Sequence, residues 1–114
     1  MKHNKFNAKK TTIDGITFDS KAEANYYLEL KTRLRAGEIK GFERQPEFEL
    51  LPAFAKHGKK YQSMKYTADF LITHLDGSQE VIEVKGMRTR DYMLRMKLFN
   101  YNYRGLKFTE VRVP

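Results

Sequence analysis

The chain has 114 residues, which fits one domain, and 40% of them are hydrophobic, which is too many for an intrinsically disordered protein. It has no cysteine, which excludes disulfides and thiolate metal sites, and no apolar run near the roughly 18 residues of a membrane span, so we expect a cytoplasmic protein without membrane contact. Lys and Arg number 22 against 14 Asp and Glu, and the net charge of +8 favours a polyanionic partner such as nucleic acid.

The N-terminal third of the chain predicts a tail, a hairpin and a helix. Residues 1–10 are basic and lack the apolar segment of a secretory signal, so we interpret them as a flexible tail preceding a single domain at residues 11–114. Asp14-Gly15 lies between two short β-like pieces and predicts a hairpin. Ser20 is a good N-cap and Gly37 a good terminator, which places the first helix at about 20–36. Its apolar stripe comprises Ala22, Tyr26, Tyr27, Leu30 and Leu34.

The middle of the chain predicts an extended segment and a loop. Residues 39–51, "IKGFERQPEFELL", have apolar anchors at Phe42, Phe48 and Leu50, and Pro46 indicates an edge or bulged strand. Residues 52–65, "PAFAKHGKKYQSMK", have little periodicity and four lysines, which indicates a long, basic, mobile loop of the kind that is often functional.

The C-terminal half predicts two strands, a helix and a last strand. "KYTADFLITH" and "QEVIEVKG" are strands joined by the turn "DGS"; Thr89 can cap a helix to about Tyr101, and "KFTEVRV" is the final strand. The apolar stripe of that helix comprises Tyr92, Met96, Phe99 and Tyr103. The order hairpin-α-β-β-β-α-β predicts an α/β domain with a small mixed sheet flanked by helices.

Three charged residues lie on strands that are apolar enough to be central in this sheet, namely Asp69, Glu83 and Lys85. Whether they meet depends on the register of the hairpin. A two-residue turn, Asp76-Gly77, would place Asp69 opposite Val84 and facing away from Glu83. A three-residue loop, 76–78, would place Asp69 opposite Lys85 and diagonal to Glu83, about 7–8 Å away at Cα. The sequence permits both registers, and a one-residue slip would separate the three charges.

Two carboxylates beside a lysine suit metal-assisted hydrolysis. Mg²⁺ prefers carboxylate and water oxygens, and a bound metal would lower the pKa of water and offset charge on a phosphate. Lys85 would orient the attacking water or stabilise the phosphate. The alternative is a cross-strand ion pair between Asp69 and Lys85 on a wet sheet face.

Glu23 is a third acid, at the N-terminal end of the core-facing stripe of the first helix. A carboxylate in that position should be paired, bind a metal or line a cleft. The alternative is a capping box, because Ser20 and Glu23 have the spacing at which the Glu side chain returns to the Ser amide. Both interpretations remain open from the sequence.

The elements "SKAEANYY", "YTADF" and "VIEVKG", followed by "RTRDYMLRMKLFNY", resemble the PD-(D/E)xK nuclease superfamily, most closely its small phage-encoded members. The likeness extends from about Ser20 to Val113 and implies a restriction-endonuclease-like core that cuts phosphodiesters with Mg²⁺ or Mn²⁺. Asp69 and Glu83 match the metal-binding acids, with the carbonyl of Val84 as a further ligand, and Lys85 matches the catalytic lysine.

Other positions match that superfamily less closely. Glu23 matches a helix acid, and Gln45 resembles a strand Gln that lies near the site in the transposase-like branch. Lys97 stands where some branches carry Gln, which suggests a phosphate contact. The Pro that often precedes the Asp is replaced by Thr67-Ala68.

The basic residues after the candidate site, Arg88, Arg90, Arg95 and Lys97, are expected to contact backbone phosphates, and Lys56, Lys59, Lys60 and Lys65 to close over a duplex. Each of these side chains taken alone is better explained as a solvated charge, and only the group as a whole favours the phosphate role.

The leading hypothesis is a phage-encoded endonuclease acting on DNA in a bacterial cytoplasm, selective for branched DNA such as a Holliday junction, in recombination or replication. Paired cuts would require a homodimer, with the hairpin at Thr12–Phe18 as a possible contact. The alternatives are a non-catalytic nucleic-acid-binding module and a structural phage protein, and RNA remains open as a substrate.

Overall fold

The computed structural model describes residues 10–113, so the tail predicted for residues 1–10 lies outside the described residues except for Lys10. Ten strands and two helices form in this part of the chain. In order they are β1 (Thr11–Ile13), β2 (Ile16–Phe18), α1 (Lys21–Arg35), β3 (Gly41–Arg44), β4 (Glu47–Leu51), β5 (Phe54–Lys56), β6 (Lys59–Tyr61), β7 (Met64–Thr67), β8 (Phe70–Thr73), β9 (Gln79–Lys85), α2 (Arg90–Asn102) and β10 (Lys107–Arg112).

A four-stranded mixed sheet lies at the centre, in the order β10-β9-β8-β3. β10 pairs with β9 in parallel, whereas β9 with β8 and β8 with β3 are antiparallel pairs. Successive residues of β9 point to opposite faces, so Ile82 packs in one core with α1 and Val81 in a second core with α2. The predicted small mixed α/β sheet flanked by helices is confirmed.

Both helices begin where the sequence predicts. The hydroxyl of Ser20 accepts a hydrogen bond from the Glu23 amide, and that of Thr89 accepts one from the Tyr92 amide. After α1 the chain turns at Gly37, whose φ of +77° lies in the left-handed region that favours glycine. The α2 stripe is confirmed, but Leu34 of the predicted α1 stripe, in the last turn of that helix, is 41% exposed.

The chain between β3 and β8 forms one long β-ribbon, which the sequence did not predict. Its strands pair as β3 with β8, β4 with β7 and β5 with β6. Hydrogen bonds from the Gln45 amide to the Asp69 carbonyl (2.9 Å) and from the Ala68 amide to the Pro46 carbonyl (3.1 Å) bridge the first interruption. A register shift between Glu49 and Leu51 marks a bulge farther along.

Three predictions about this region were therefore wrong in detail. The extended segments 39–51 and 65–74 are each two strands, because Gln45-Pro46 and Ala68-Asp69 interrupt the ladder. The basic loop predicted at 52–65 contains the β5–β6 hairpin. Its turn, His57-Gly58, has positive φ at both residues (50° and 79°), the geometry of a tight two-residue hairpin, and periodicity over such short strands is too brief to detect.

The β8–β9 register matches neither of the two considered. Thr73 pairs with Gln79 and Phe70 with Ile82, and the His74 amide donates to the Ser78 carbonyl at 2.8 Å. The loop has three residues, but they are 75–77, because the Asp76 carboxylate accepts hydrogen bonds from the amide and hydroxyl of Ser78. Continuing this pairing by one residue sets Asp69 beside Glu83.

Membrane insertion has no helical candidate in the described part of the chain. Neither α1 nor α2 has the length and apolar character that crossing a bilayer requires.

Candidate functional site

Asp69 lies at the interruption between β7 and β8, next to the C-terminal half of β9. Its amide donates to the Ile82 carbonyl at 3.2 Å, and its Oδ2 accepts a hydrogen bond from the Val84 amide at 2.7 Å. The side chain thus bonds to the neighbouring strand on one side of Glu83 while the backbone bonds to it on the other. Both the side chain and the backbone of Asp69 can bond to β9 because Asp69 lies outside the regular β-ladder.

Glu83 projects from β9 into the α2 side of the sheet and is 6% exposed. The Tyr66 hydroxyl donates a hydrogen bond to its Oε1 at 2.5 Å, and Lys85 Nζ lies 3.8 Å from its Oε2. Burial, and then the negative charge of Asp69, raise the pKa of Glu83. Burial also raises the pKa of Asp69, against the opposing effects of the Val84 amide and the Lys85 charge. The two carboxylates therefore form an incompletely compensated acidic pair.

Glu23 lies close enough to this pair to interact with it electrostatically. Burial, followed by the charges of Asp69 and Asp19, raises the pKa of Glu23 to about 7. Ser20 caps the helix by accepting from the Glu23 amide, but within residues 10–113 no hydrogen bond or ion pair engages the Glu23 carboxylate. The reciprocal half of the capping box is absent, and the carboxylate is left for the site.

Lys85 is held by contacts with two other side chains. Its Nζ lies 4.6 Å from the centre of the Tyr92 ring, in addition to its contact with Glu83. The Tyr92 hydroxyl donates to Glu110 at 2.6 Å, and Arg88 forms an ion pair with the same carboxylate. The Arg88 hydrogen bond, with that of Tyr92, holds the pKa of Glu110 down at about 2 despite burial. The side chain of Lys85 is 28% exposed, so a ligand can reach its ammonium group.

Arg44, at the end of β3, is a positively charged residue near the acidic pair that was not among the predicted site residues. Its positive charge acts on Glu23 and Asp69 and partly opposes the rise in the pKa of both. The guanidinium carbon lies 4.8 Å from the centre of the Phe18 ring, whereas the buried Nε has no hydrogen-bond partner. The only signal in the sequence was its place one residue before Gln45.

A family model described as a protein of unknown function, DUF1064, matches residues 3–113. The chain belongs to this family. No curated protein matches the chain. The DUF1064 description names no activity.

The carboxylates near Asp69 do not form a preassembled metal cage. Among residues 10–113, no group of three or more His, Cys, Asp or Glu side chains is placed to hold a metal ion. Asp69 and Glu83 nevertheless fit a hard divalent cation, because Mg²⁺ is commonly held by one or two carboxylates and keeps several waters. A cation would also offset the charge that raises the pKa of Glu83. Val84, the third predicted ligand, is half-buried in β9 and donates its amide to Asp69.

The residues predicted to contact DNA divide into free and paired groups. Gln45 is exposed, has a φ of 50° and is hydrogen-bonded through its amide to Asp69, so it borders the site. Arg90 and Lys97 are exposed on α2 without a partner among the described residues.

The remaining three predicted DNA contacts are engaged within the protein. Arg88 pairs with Glu110, Arg95 with Asp91 at 3.0 Å and with the Lys65 carbonyl, and Lys65 lies 3.9 Å from Glu47. The side chains in these pairs are partly exposed, so the basic residues are still accessible from solvent.

Proposed function

We propose that the protein is a metal-dependent DNA endonuclease that hydrolyses phosphodiester bonds with Asp69, Glu83 and Lys85. The observation that carries the proposal is the placement of Asp69 beside Glu83, with Lys85 Nζ 3.8 Å from the Glu83 carboxylate, at one end of the central sheet. An incompletely compensated acidic pair next to a partly exposed lysine suits the binding of a cation and an anionic phosphate together.

The two carboxylates would hold Mg²⁺ or Mn²⁺, with the Val84 carbonyl as a further donor. When bound, the cation would lower the pKa of a coordinated water and offset charge on the phosphate. The protein's own part is to keep both carboxylates in place. The Tyr66 hydroxyl bonds to Glu83 Oε1, and the Val84 amide bonds to Asp69 Oδ2, so each carboxylate is fixed by one hydrogen-bond donor. The second oxygen of Glu83, Oε2, lies 3.8 Å from Lys85 Nζ.

Lys85 would donate to a non-bridging oxygen of the scissile phosphate or orient the attacking water. Its position over the Tyr92 ring limits where the ammonium can go, because a cation is attracted to the ring face. Glu23 would act as the third acid, with a pKa of about 7 that allows it to exchange protons near neutral pH.

We further propose that the core is restriction-endonuclease-like, and that the preferred DNA is branched, cut by a homodimer. Support for the core comes from the order α1, the ribbon, β9, α2 and β10, with Asp69 just before β8 and with Glu83 and Lys85 on β9. The β1–β2 hairpin would offer only a small apolar surface to a second copy of the chain, because Phe18 is buried and Ile13 and Ile16 pack against the first core. Its outward residues are Thr12 and Thr17, whose hydroxyls bond to each other.

A non-catalytic nucleic-acid-binding protein is the second candidate. The observation in its favour is that Glu23, Asp69 and Glu83 do not form a three-acid metal group in the described residues. This candidate predicts DNA binding that does not depend on a divalent cation, and no cleavage.

The test is cleavage of supercoiled plasmid, linear duplex and a four-way junction with Mg²⁺, Mn²⁺ or EDTA. Wild type is compared with Asp69→Asn and Lys85→Ala, and the control is Lys107→Ala, an exposed lysine on β10 paired with the opposite end of β9. We expect metal-dependent cleavage that falls at least ~100-fold in both site variants and less than threefold in the control. Cleavage that survives both site substitutions, or no cleavage of any substrate with either metal, would overturn the proposal.

A further inference from the structure

The β5–β6 hairpin is an exposed arm at the end of the long ribbon. Every residue from 51 to 62 is exposed, and β5 and β6 form a two-stranded sheet with no third strand. A two-stranded hairpin this short is marginal in water by itself. The arm is stiffened by the stacked rings of Phe54 and Tyr61, with centroids 4.7 Å apart and planes 9° apart, and by its tight turn.

The charge of the arm is of one sign. Residues 52–65 include four lysines and no acidic residue. Lys56 pairs with Lys59 across the hairpin and Ala55 with Lys60, so lysines occupy both faces. Two like charges placed directly opposite each other are unfavourable in the free protein. A polyanion on this arm would relieve the repulsion, whereas a cationic partner would add to it.

We propose that the β5–β6 hairpin is a DNA-binding arm that inserts into the major groove of duplex DNA beside the candidate site. The B-DNA major groove, about 12 Å wide and 8.5 Å deep, admits a two-stranded β-ribbon. Strands of three residues span about 10 Å, which matches that depth. The major groove of A-form RNA is too narrow and deep for side chains to read, so the arm favours DNA.

The arm and the site are joined by the ribbon, which sets their separation. Asp69 and Lys59 are ten residues apart, so Lys59, the first residue after the hairpin turn, lies at most about 33 Å from Asp69 along the strand direction, close to one turn of DNA. The arm would therefore hold the duplex up to one helical turn from the bond at the site. This inference rests on the proposed function for its account of the substrate, but binding by the arm does not require cleavage.

The experiment measures binding by fluorescence anisotropy in EDTA, where the proposed chemistry is silent. The arm variant is Lys56→Gln/Lys59→Gln. The matched control is Lys40→Gln/Lys107→Gln, which removes two exposed lysines at the other end of the central sheet, where the Lys40 amide bonds to Thr73 and Lys107 pairs with Glu80. Targets are a 20-bp DNA duplex, the same sequence as duplex RNA, and single-stranded DNA.

We expect the arm variant to weaken duplex-DNA binding ~10-fold and to reduce the slope of log K against log salt by about 2, as the loss of two phosphate contacts requires. The control should change affinity less than threefold, and wild type should bind duplex DNA more tightly than duplex RNA or single-stranded DNA. Equal losses in both variants would mean general attraction by the net charge and would overturn the proposal. Equal or tighter binding of either RNA duplex or single strands would also overturn it. If the arm contributes to DNA binding as expected but the protein cleaves no substrate, the nuclease proposal is overturned and the arm proposal stands.

Discussion

The ammonium nitrogen of Lys85 lies 4.6 Å from the centre of the Tyr92 ring, and the hydroxyl of that ring is bonded to Glu110 at 2.6 Å. Tyr92 thus connects the candidate catalytic lysine on β9 to a charged residue on β10. Because the ring is 6% exposed, its position is set by the second core as well as by this hydrogen bond. Tyr92 is a positioning residue for Lys85 in this arrangement.

Two substitutions of Tyr92 distinguish the contribution of its ring from that of its hydroxyl. Tyr92→Phe keeps the ring under Lys85, so we expect kcat within about threefold of wild type and a stability loss of about 1 kcal/mol. Tyr92→Leu removes the ring, and kcat should fall about 10-fold with little change in KM, because an ammonium held by the ring would lose its place. Steady-state cleavage kinetics and thermal unfolding of both variants check this. Equal kcat in the two variants would show that the ring does not position Lys85.

Arg44 should contribute to phosphate binding. Its charge acts on Glu23 and Asp69, so it adds positive potential where a phosphate would bind. We expect Arg44→Gln to weaken DNA binding in EDTA about 10-fold, and Arg44→Lys to recover part of that loss, because Lys keeps the charge without the planar fork. The control is Arg35→Gln, an exposed residue in the last turn of α1. Unchanged binding in Arg44→Gln would remove Arg44 from the site.

The unusual state of Glu23 predicts how stability changes with pH. Its carboxyl has a pKa of about 7 in the folded chain against 4.5 ordinarily, so the folded state holds the proton more tightly than the unfolded state. The resulting stabilisation is complete below pH 4.5 and is lost as pH rises through about 7, which corresponds to roughly 1–3 kcal/mol. In EDTA, Tm should therefore fall between pH 5 and pH 7.5.

Glu23→Gln should make that part of the pH profile shallower, because the amide does not titrate. Some slope should remain, because burial and the charge of Asp69 also raise the pKa of Glu83 to about 7. Glu110 does not obscure it, since a pKa lowered to about 2 makes its own contribution disappear only as pH falls below about 4.5. Tm measured in steps from pH 4.5 to pH 8 for both proteins checks the prediction. A profile as steep in Glu23→Gln as in wild type would assign the slope to other groups.

A divalent cation should stabilise the folded protein without any DNA. At 100 times its Kd, a ligand that binds only the folded state adds about 2.7 kcal/mol, and we expect Mn²⁺ or Mg²⁺ to raise Tm by several degrees at pH 7.5. Asp69→Asn should abolish most of the shift, because it removes one of the two charged donors. Glu38→Gln, an exposed carboxylate after α1, serves as the control. A shift of equal size in all three proteins would indicate binding elsewhere on the surface.

The two helices were predictable because their signals are local. Ser20 and Thr89 cap helices through bonds to amides three residues away, and the α2 stripe repeats over a full thirteen-residue helix. Arg44 was not predictable, because a single Arg in a strand acquires meaning only from what packs around it. The hairpin at residues 54–61 was missed because three-residue strands give no measurable period.

The sequence alone determined the kinds of side chain on the two strands: two carboxylates and a lysine at positions where a sheet would otherwise carry apolar residues. It left open whether Asp69 meets Glu83, since a one-residue slip in register reverses the faces of a strand. The tertiary structure decided this through the Asp76–Ser78 bonds that place the loop at 75–77 and through the interruption that frees Asp69 to bond to the Val84 amide. It also decided that the buried Glu23 carboxylate does not bond to the Ser20 amide and that it interacts electrostatically with Asp69.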